Sequence, residues 1–174
     1  LPLTLLGMTG KTGIGIVEMG ANHPGEIGYL CSIADPDYGI ITNIGRAHLE
    51  GFGTFEAIIR AKAELYQYLH KKKGTIFYNY GNQILKDLIP DYREKISYGG
   101  NASDCSGEPV YSSPYIHVKV KFRENELFLE SELTGSYNFE NIMAAVCIGH
   151  YFGVEPSDIK EAINAYKPQN NRSQ

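Results

Sequence analysis

The apolar residues fall into short unbroken runs in the first half of the chain and into alternation further on, and the two patterns predict different structure. Ile14-Gly15-Ile16-Val17-Glu18-Met19 is an apolar run bounded by glycines, the pattern of a buried strand. Pro24 and Glu26 open a helix that continues through Ile27, Leu30 and Ile33 at a spacing of three. Tyr38-Gly39-Ile40-Ile41-Thr42 reads as a second buried strand, and a Gly-rich loop spans Gly45 to Gly53. Thr54 then suits an N-cap with Glu56 in the first turn. This helix runs through Ile58, Ile59, Leu65 and Leu69. Lys71, Lys72 and Lys73 complement its dipole, and Gly74 is expected to supply the C′ residue. Thr75-Ile76-Phe77-Tyr78-Asn79 is a third strand.

Strand, helix, strand, helix, strand is the order of a parallel sheet with crossover helices. After a Gly-, Ser- and Pro-rich stretch from Gly99 to Pro114, expected to be a loop, the period changes. Tyr115 to Phe122 alternates apolar and polar residues, and Glu126 to Leu133 is its partner across a turn at Arg123-Glu124-Asn125. This is an antiparallel hairpin with one wet face. Two helices, 138–151 and 156–166, close the chain. The expected fold is therefore α/β: a mostly parallel sheet with flanking helices plus a small antiparallel hairpin.

Composition narrows the class. The 174 residues carry 16 Lys+Arg against 20 Asp+Glu, a net charge of −4, so nothing global points to nucleic acid. Hydrophobic residues at 43% suit a globular domain, and no apolar run is long enough to span a bilayer. Cys31, Cys105 and Cys147 are odd in number and lack metal-ligand spacing, which fits a reducing compartment. Leu1–Leu6 reads as the tail of an element that begins upstream, and the polar stretch after Pro168 reads as a linker. The expectation is one domain of a longer protein.

Gly7-Met8-Thr9-Gly10-Lys11-Thr12 resembles a phosphate-binding loop, in which backbone N–H groups and a lysine cradle phosphates at a helix N-terminus. Leu5 stands where that pattern needs its first glycine, and an apolar run rather than a helix follows. A surface turn is the favoured reading.

Three residues carry candidate chemistry. Glu18 ends the first expected strand, where ligands collect in open α/β sheets, and a carboxylate there can hold Mg²⁺. Pairing with a lysine explains it equally well. His48 follows the second strand and so falls near the same edge; a loop histidine is also commonly only solvated or structurally bonded. Lys62 lies between Ala61 and Ala63, small neighbours that allow close approach, although an exposed helix lysine is the ordinary account, as it is for Arg60.

Together the blocks Glu18–Ile27, Thr42–Gly53 and Ala61-Lys62-Ala63-Glu64-Leu65 resemble the Mur ligases, the ATP-dependent amide ligases of peptidoglycan precursor synthesis. Gly135–Ala145 resembles that family's adenine-side helix start, and 168–173 the end of its central domain. Gly20-Ala21-Asn22-His23 and His48-Leu49-Glu50-Gly51-Phe52-Gly53 look most like the member that adds D-Ala-D-Ala to UDP-N-acetylmuramoyl-tripeptide.

The resemblance implies a P-loop NTPase-like central ATPase domain over 1–168, its P-loop upstream, with 169–174 starting a linker to a C-terminal domain. It implies ATP and Mg²⁺ as cofactors, the tripeptide and D-Ala-D-Ala as substrates, N- and C-terminal domains as partners, and a cytoplasmic setting. Ligation would proceed through an acyl phosphate. Glu18 would bind one Mg²⁺ and His48 a second. Lys62, fourteen residues after His48, matches the position where the family's lysine is carbamylated, which makes it an oxygen ligand. Asn138 and Asn141 would face the adenine, and Arg172 the phosphates. Asn79 and Asn82 could line the nucleotide pocket; a cap suits Asn82 equally. Tyr137 stands where many members have His and is assigned no contact. Asn22 and His23 are family-typical, with no role assigned beyond the site's rim. The alternatives are another Mur-type or folylpolyglutamate synthetase-like ligase, which the Ala-Asn-His-Pro-Gly-Glu stretch disfavours, and a non-catalytic binding module of the same fold, which Glu18, His48 and Lys62 disfavour.

Overall fold

The computed structural model describes residues 1–45, 49–112, 114–122 and 125–168. The elements run α1 (Pro2–Leu6), α2 (Glu26–Ala34), β1 (Tyr38–Ile40), α3 (Leu49–Phe52), α4 (Phe55–Lys72), β2 (Thr75–Asn79), α5 (Gln83–Leu88), β3 (Lys95–Gly99), β4 (Cys105–Ser112), β5 (Tyr115–Phe122), β6 (Asn125–Thr134), α6 (Asn138–Tyr151) and α7 (Pro156–Ala165). The six strands form one mixed sheet in the order β1-β2-β3-β4-β5-β6. β3 and β4 are parallel, whereas β4–β5 and β5–β6 are antiparallel.

The chain divides into two compact units, Leu1–Ile76 with Leu88–Glu94, and Phe77–Asp87 with Lys95–Gln174. In the first, α4 is the central element: it packs on α2, α3 and β1. Its apolar positions Ile58, Ala61, Tyr66 and Leu69 are buried, the stripe that a helix must hide. Thr54 caps it as expected, its Oγ1 accepting the Ala57 N–H at 3.2 Å. At the other end the left-handed residue is Lys73 (φ 62), not Gly74. Gly74 is the next residue on, and its N–H returns to the Leu69 carbonyl at 2.9 Å. A glycine is needed there for space: a Cβ would lie 2.6 Å from the Asp37 carbonyl oxygen.

In the second unit, α6 packs on β3, β4 and β5, and α7 on β6 and α6. Ile116, Val118 and Val120 of β5 are buried on one face, while Lys119 pairs with Glu126 at 2.8 Å on the other. That is the alternation the sequence showed.

Three expectations are corrected. Residues 14–19 form no strand. Val17 and Met19 are half-buried, with Cys31 Sγ 3.9 Å from Met19 Sδ, but Ile14 and Ile16 stay 58% and 86% exposed. A strand apolar on both faces needs cover on both, and here one face has it. Residues 99–114 are not all loop, because Cys105–Ser112 is β4. Its full register with β5 outweighs the local breakers. Pro109 is tolerated because β3 meets β4 only at Cys105 and Ser106, so beyond them one edge of β4 needs no N–H donor. The Gly-rich segment 45–53 contains the single turn α3.

Candidate functional site

The first unit gathers the three sequence blocks onto a short stretch of α4. Lys62 Nζ donates to the main-chain carbonyl of Asn43 at 2.7 Å. Glu64, two residues on, accepts the N–H groups of Gly25 at 2.7 Å and Gly28 at 2.8 Å. These are donors of the α2 N-terminus, which have no partner within their own helix and lie at its positive end. Gly25 caps that helix in a left-handed conformation (φ 86) that glycine adopts freely. The Asn22 carbonyl lies so close to Gly51 of α3 that a Cβ there would collide with it. Residues 22–28, 43 and 51 are thus held together around positions 62–64.

Glu26 closes the 22–26 segment on itself. Its Oε2 accepts the N–H of Asn22 at 2.7 Å and of His23 at 3.1 Å, and its Oε1 lies 3.2 Å from His23 Nδ1. The Asn22 and then the His23 backbone bond hold this carboxyl below the ordinary glutamate range. Burial pushes the Lys62 amine down, favouring the neutral form. A neutral amine is the nucleophile that CO₂ or another electrophile requires.

Of the other expected site residues, Glu18 is exposed and belongs to no strand, so its place at a strand end is corrected. His48 and Arg172 lie outside the described residues. Among the described residues no three acidic, His or Cys side chains converge on a cation. The donor set suits Mg²⁺ in a limited sense: this ion is commonly held by one or two carboxylates, with water and substrate phosphates completing its shell. Glu18 offers an exposed carboxylate, whereas Lys62 as an amine offers no oxygen.

In the second unit Asn138 is buried and its Nδ2 donates to the Thr134 carbonyl at 2.7 Å. Asn141 is exposed, and its Nδ2 donates to Asn138 Oδ1 at 3.0 Å. Asn138 therefore fixes the start of α6, and Asn141 keeps an amide oxygen and a second N–H for other partners. Asn82 is the cap of α5, its Oδ1 accepting the Leu85 N–H at 3.2 Å. Asn79 is buried, with its Oδ1 bound to the Gly81 N–H at 2.8 Å. Gly7–Thr12 is an exposed turn in which Thr9 and Lys11 N–H groups bond to the hydroxyls of Thr12 and Thr9. Residue type alone does not single out Glu64; its signal in the sequence is its place two residues after Lys62, inside the third block.

This fold and these blocks define a Mur ligase central domain: the chain belongs to the Mur ligase family, whose middle-domain model matches residues 1–149. UDP-N-acetylmuramoyl-tripeptide–D-alanyl-D-alanine ligase from Bacillus subtilis (strain 168) is 35% identical over 168 residues, 96% of this chain and 36% of that protein. The enzyme of the same name from Escherichia coli (strain K12) is 28% identical over 94% of this chain and 37% of its own length. A crystal structure of MurF from Acinetobacter baumannii matches with a TM-score of 0.84 at 26% identity, over 98% of this chain and 38% of that one. MurF from Thermotoga maritima in complex with ADP matches with a TM-score of 0.68 at 26% identity, over 86% and 35%. The chain spans little more than a third of the length of these relatives.

Proposed function

We propose that this chain is the central, ATP-handling domain of a ligase that adds D-Ala-D-Ala to UDP-N-acetylmuramoyl-tripeptide in the cytoplasm. The observation that carries the reading is the meeting of the three blocks on residues 62–64, in a chain whose relatives bear that enzyme's name. ATP would phosphorylate the terminal carboxylate of the tripeptide, and the dipeptide amine would attack the acyl phosphate, releasing phosphate. The barrier lies in bringing anions together, so fixed cations and oriented donors dominate.

In this reading Glu18 and His48 hold Mg²⁺, with Lys62 joining them as a carbamate. Mg²⁺ would supply charge neutralisation at the phosphates. Asn141 presents its amide edge to the adenine, and Asn138, which fixes it, completes the pair. Arg172 meets the phosphates. Residues 1–168 belong to the central domain, and 169–174 begin the link to a C-terminal domain. This chain by itself is inactive.

The test is D-Ala-D-Ala addition by the full-length protein, followed by Lys62→Ala. Activity should fall about 100-fold or more, and added bicarbonate should not restore it. Wild-type activity in that variant would remove the carbamate role, and ligation by the isolated chain would remove the need for other domains.

A further inference from the structure

We infer that Glu64 is a positioning residue of the ligation site: its carboxylate clasps the Asn22–Gly28 segment to α4 in register with Lys62. The kinetic part of this inference rests on the ligase reading above; the clasp itself does not.

Both carboxylate oxygens are used, one on Gly25 and one on Gly28. Each bond is charge-assisted, and both donors belong to the α2 N-terminus, where a negative charge is stabilised. Gly25 supplies the left-handed backbone that brings its N–H to Glu64, and at Gly28 a Cβ would be in no more than ordinary contact with Glu64 Oε2, 3.4 Å away.

Lys62 and Glu64 are two apart on a helix, so their side chains diverge. The cationic arm takes a carbonyl of one loop, and the anionic arm takes two amides of another. Each arm matches the polarity of the groups it meets. The segment that Glu64 holds carries His23, whose Nδ1 faces Glu26. Losing the clasp frees that segment from Lys62, and a shift of ~1 Å at a reacting centre costs about 100-fold in rate.

The experiment uses the full-length protein with Glu64→Gln and Glu64→Asp. Gln keeps the size but replaces one acceptor by an NH₂ that faces an N–H. Asp keeps both acceptors on a shorter arm. Glu64→Gln should lower kcat by about 100-fold while KM for ATP stays within about twofold and Tm falls by less than about 5 °C. Glu64→Asp should recover part of kcat. A folded Glu64→Gln variant with wild-type kcat, or a loss that only tracks its unfolded fraction, would overturn the inference. Amide exchange, read by NMR, separates it from the ligase reading. Faster exchange at Gly25 and Gly28 in Glu64→Gln, in a protein whose wild type has no ligase activity, supports the clasp and removes the ligase reading. Unchanged exchange at both amides overturns the clasp whatever the activity.

Discussion

At the scale of single residues, the first unit places charged side chains on main-chain groups. Lys62 donates to a carbonyl, while Glu26 and Glu64 accept amides. Such bonds fix backbone rather than partner side chains, so they set the shape of a loop. Glu26 gives a direct test with pH. Its folded-state pKa lies below the unfolded one, because the Asn22 and His23 amides stabilise the carboxylate. Its contribution is therefore present above the unfolded pKa and lost as pH falls through the folded value. Carboxyl-detected NMR titration should give Glu26 a midpoint below the ordinary glutamate range, with the Asn22 and His23 amide shifts following it. A midpoint at or above that range would mean the turn does not hold in solution.

At the scale of elements, α4 was the most legible part of the sequence, and for several reasons at once. Its apolar stripe, the Thr54 cap and the basic last turn all point the same way. The hairpin of β5 and β6 was legible because one wet face leaves a period of two. Residues 14–19 depart from their strand pattern because composition shows which residues are apolar and not how many sides of them are covered. β4 is not legible in the sequence because its glycine and proline are local signals, while the ladder to β5 is a long-range one. Of the candidate site, the blocks were visible as motifs, but the Glu64 bonds were not, since they join residues 36 and 39 positions apart. Gly74 shows how an element's end can be right for a different reason. Gly74→Ala should cost about 1–3 kcal/mol by crowding the Asp37 carbonyl and Leu69. Lys73→Gly, which relieves the left-handed position, should be neutral or stabilising. Chemical denaturation of both variants checks the pair, and a neutral Gly74→Ala would remove the steric requirement for glycine at 74.

At the scale of the whole molecule, the issue is how much nucleotide chemistry this length of chain can hold, given that it spans little more than a third of its relatives. Phosphate binding needs several backbone N–H groups that are not already used, aimed at one point. In the stretch that resembles such a cradle, Gly7–Thr12, the N–H groups of Thr9, Lys11 and Thr12 are spent on Thr12 Oγ1, Thr9 Oγ1 and the Thr9 carbonyl. No helix begins directly at its end to add its dipole, since the next one, α2, starts at Glu26. At the N-terminus of α2, Glu64 already occupies the place an anion would take. The amide edge of Asn141 could still meet a base, but a single edge contributes little without the phosphates. Calorimetric titration of this chain with ATP and Mg²⁺ should therefore show binding no tighter than about 1 mM. Tight, Mg²⁺-dependent binding that Lys11→Ala abolishes would mean the turn opens into a phosphate cradle, and the assignment of Gly7–Thr12 as a surface turn would fall. Tight binding that survives Lys11→Ala would instead move the phosphate site onto other residues of this chain, and Glu64 would then be the first group to replace, because it competes for the α2 amides.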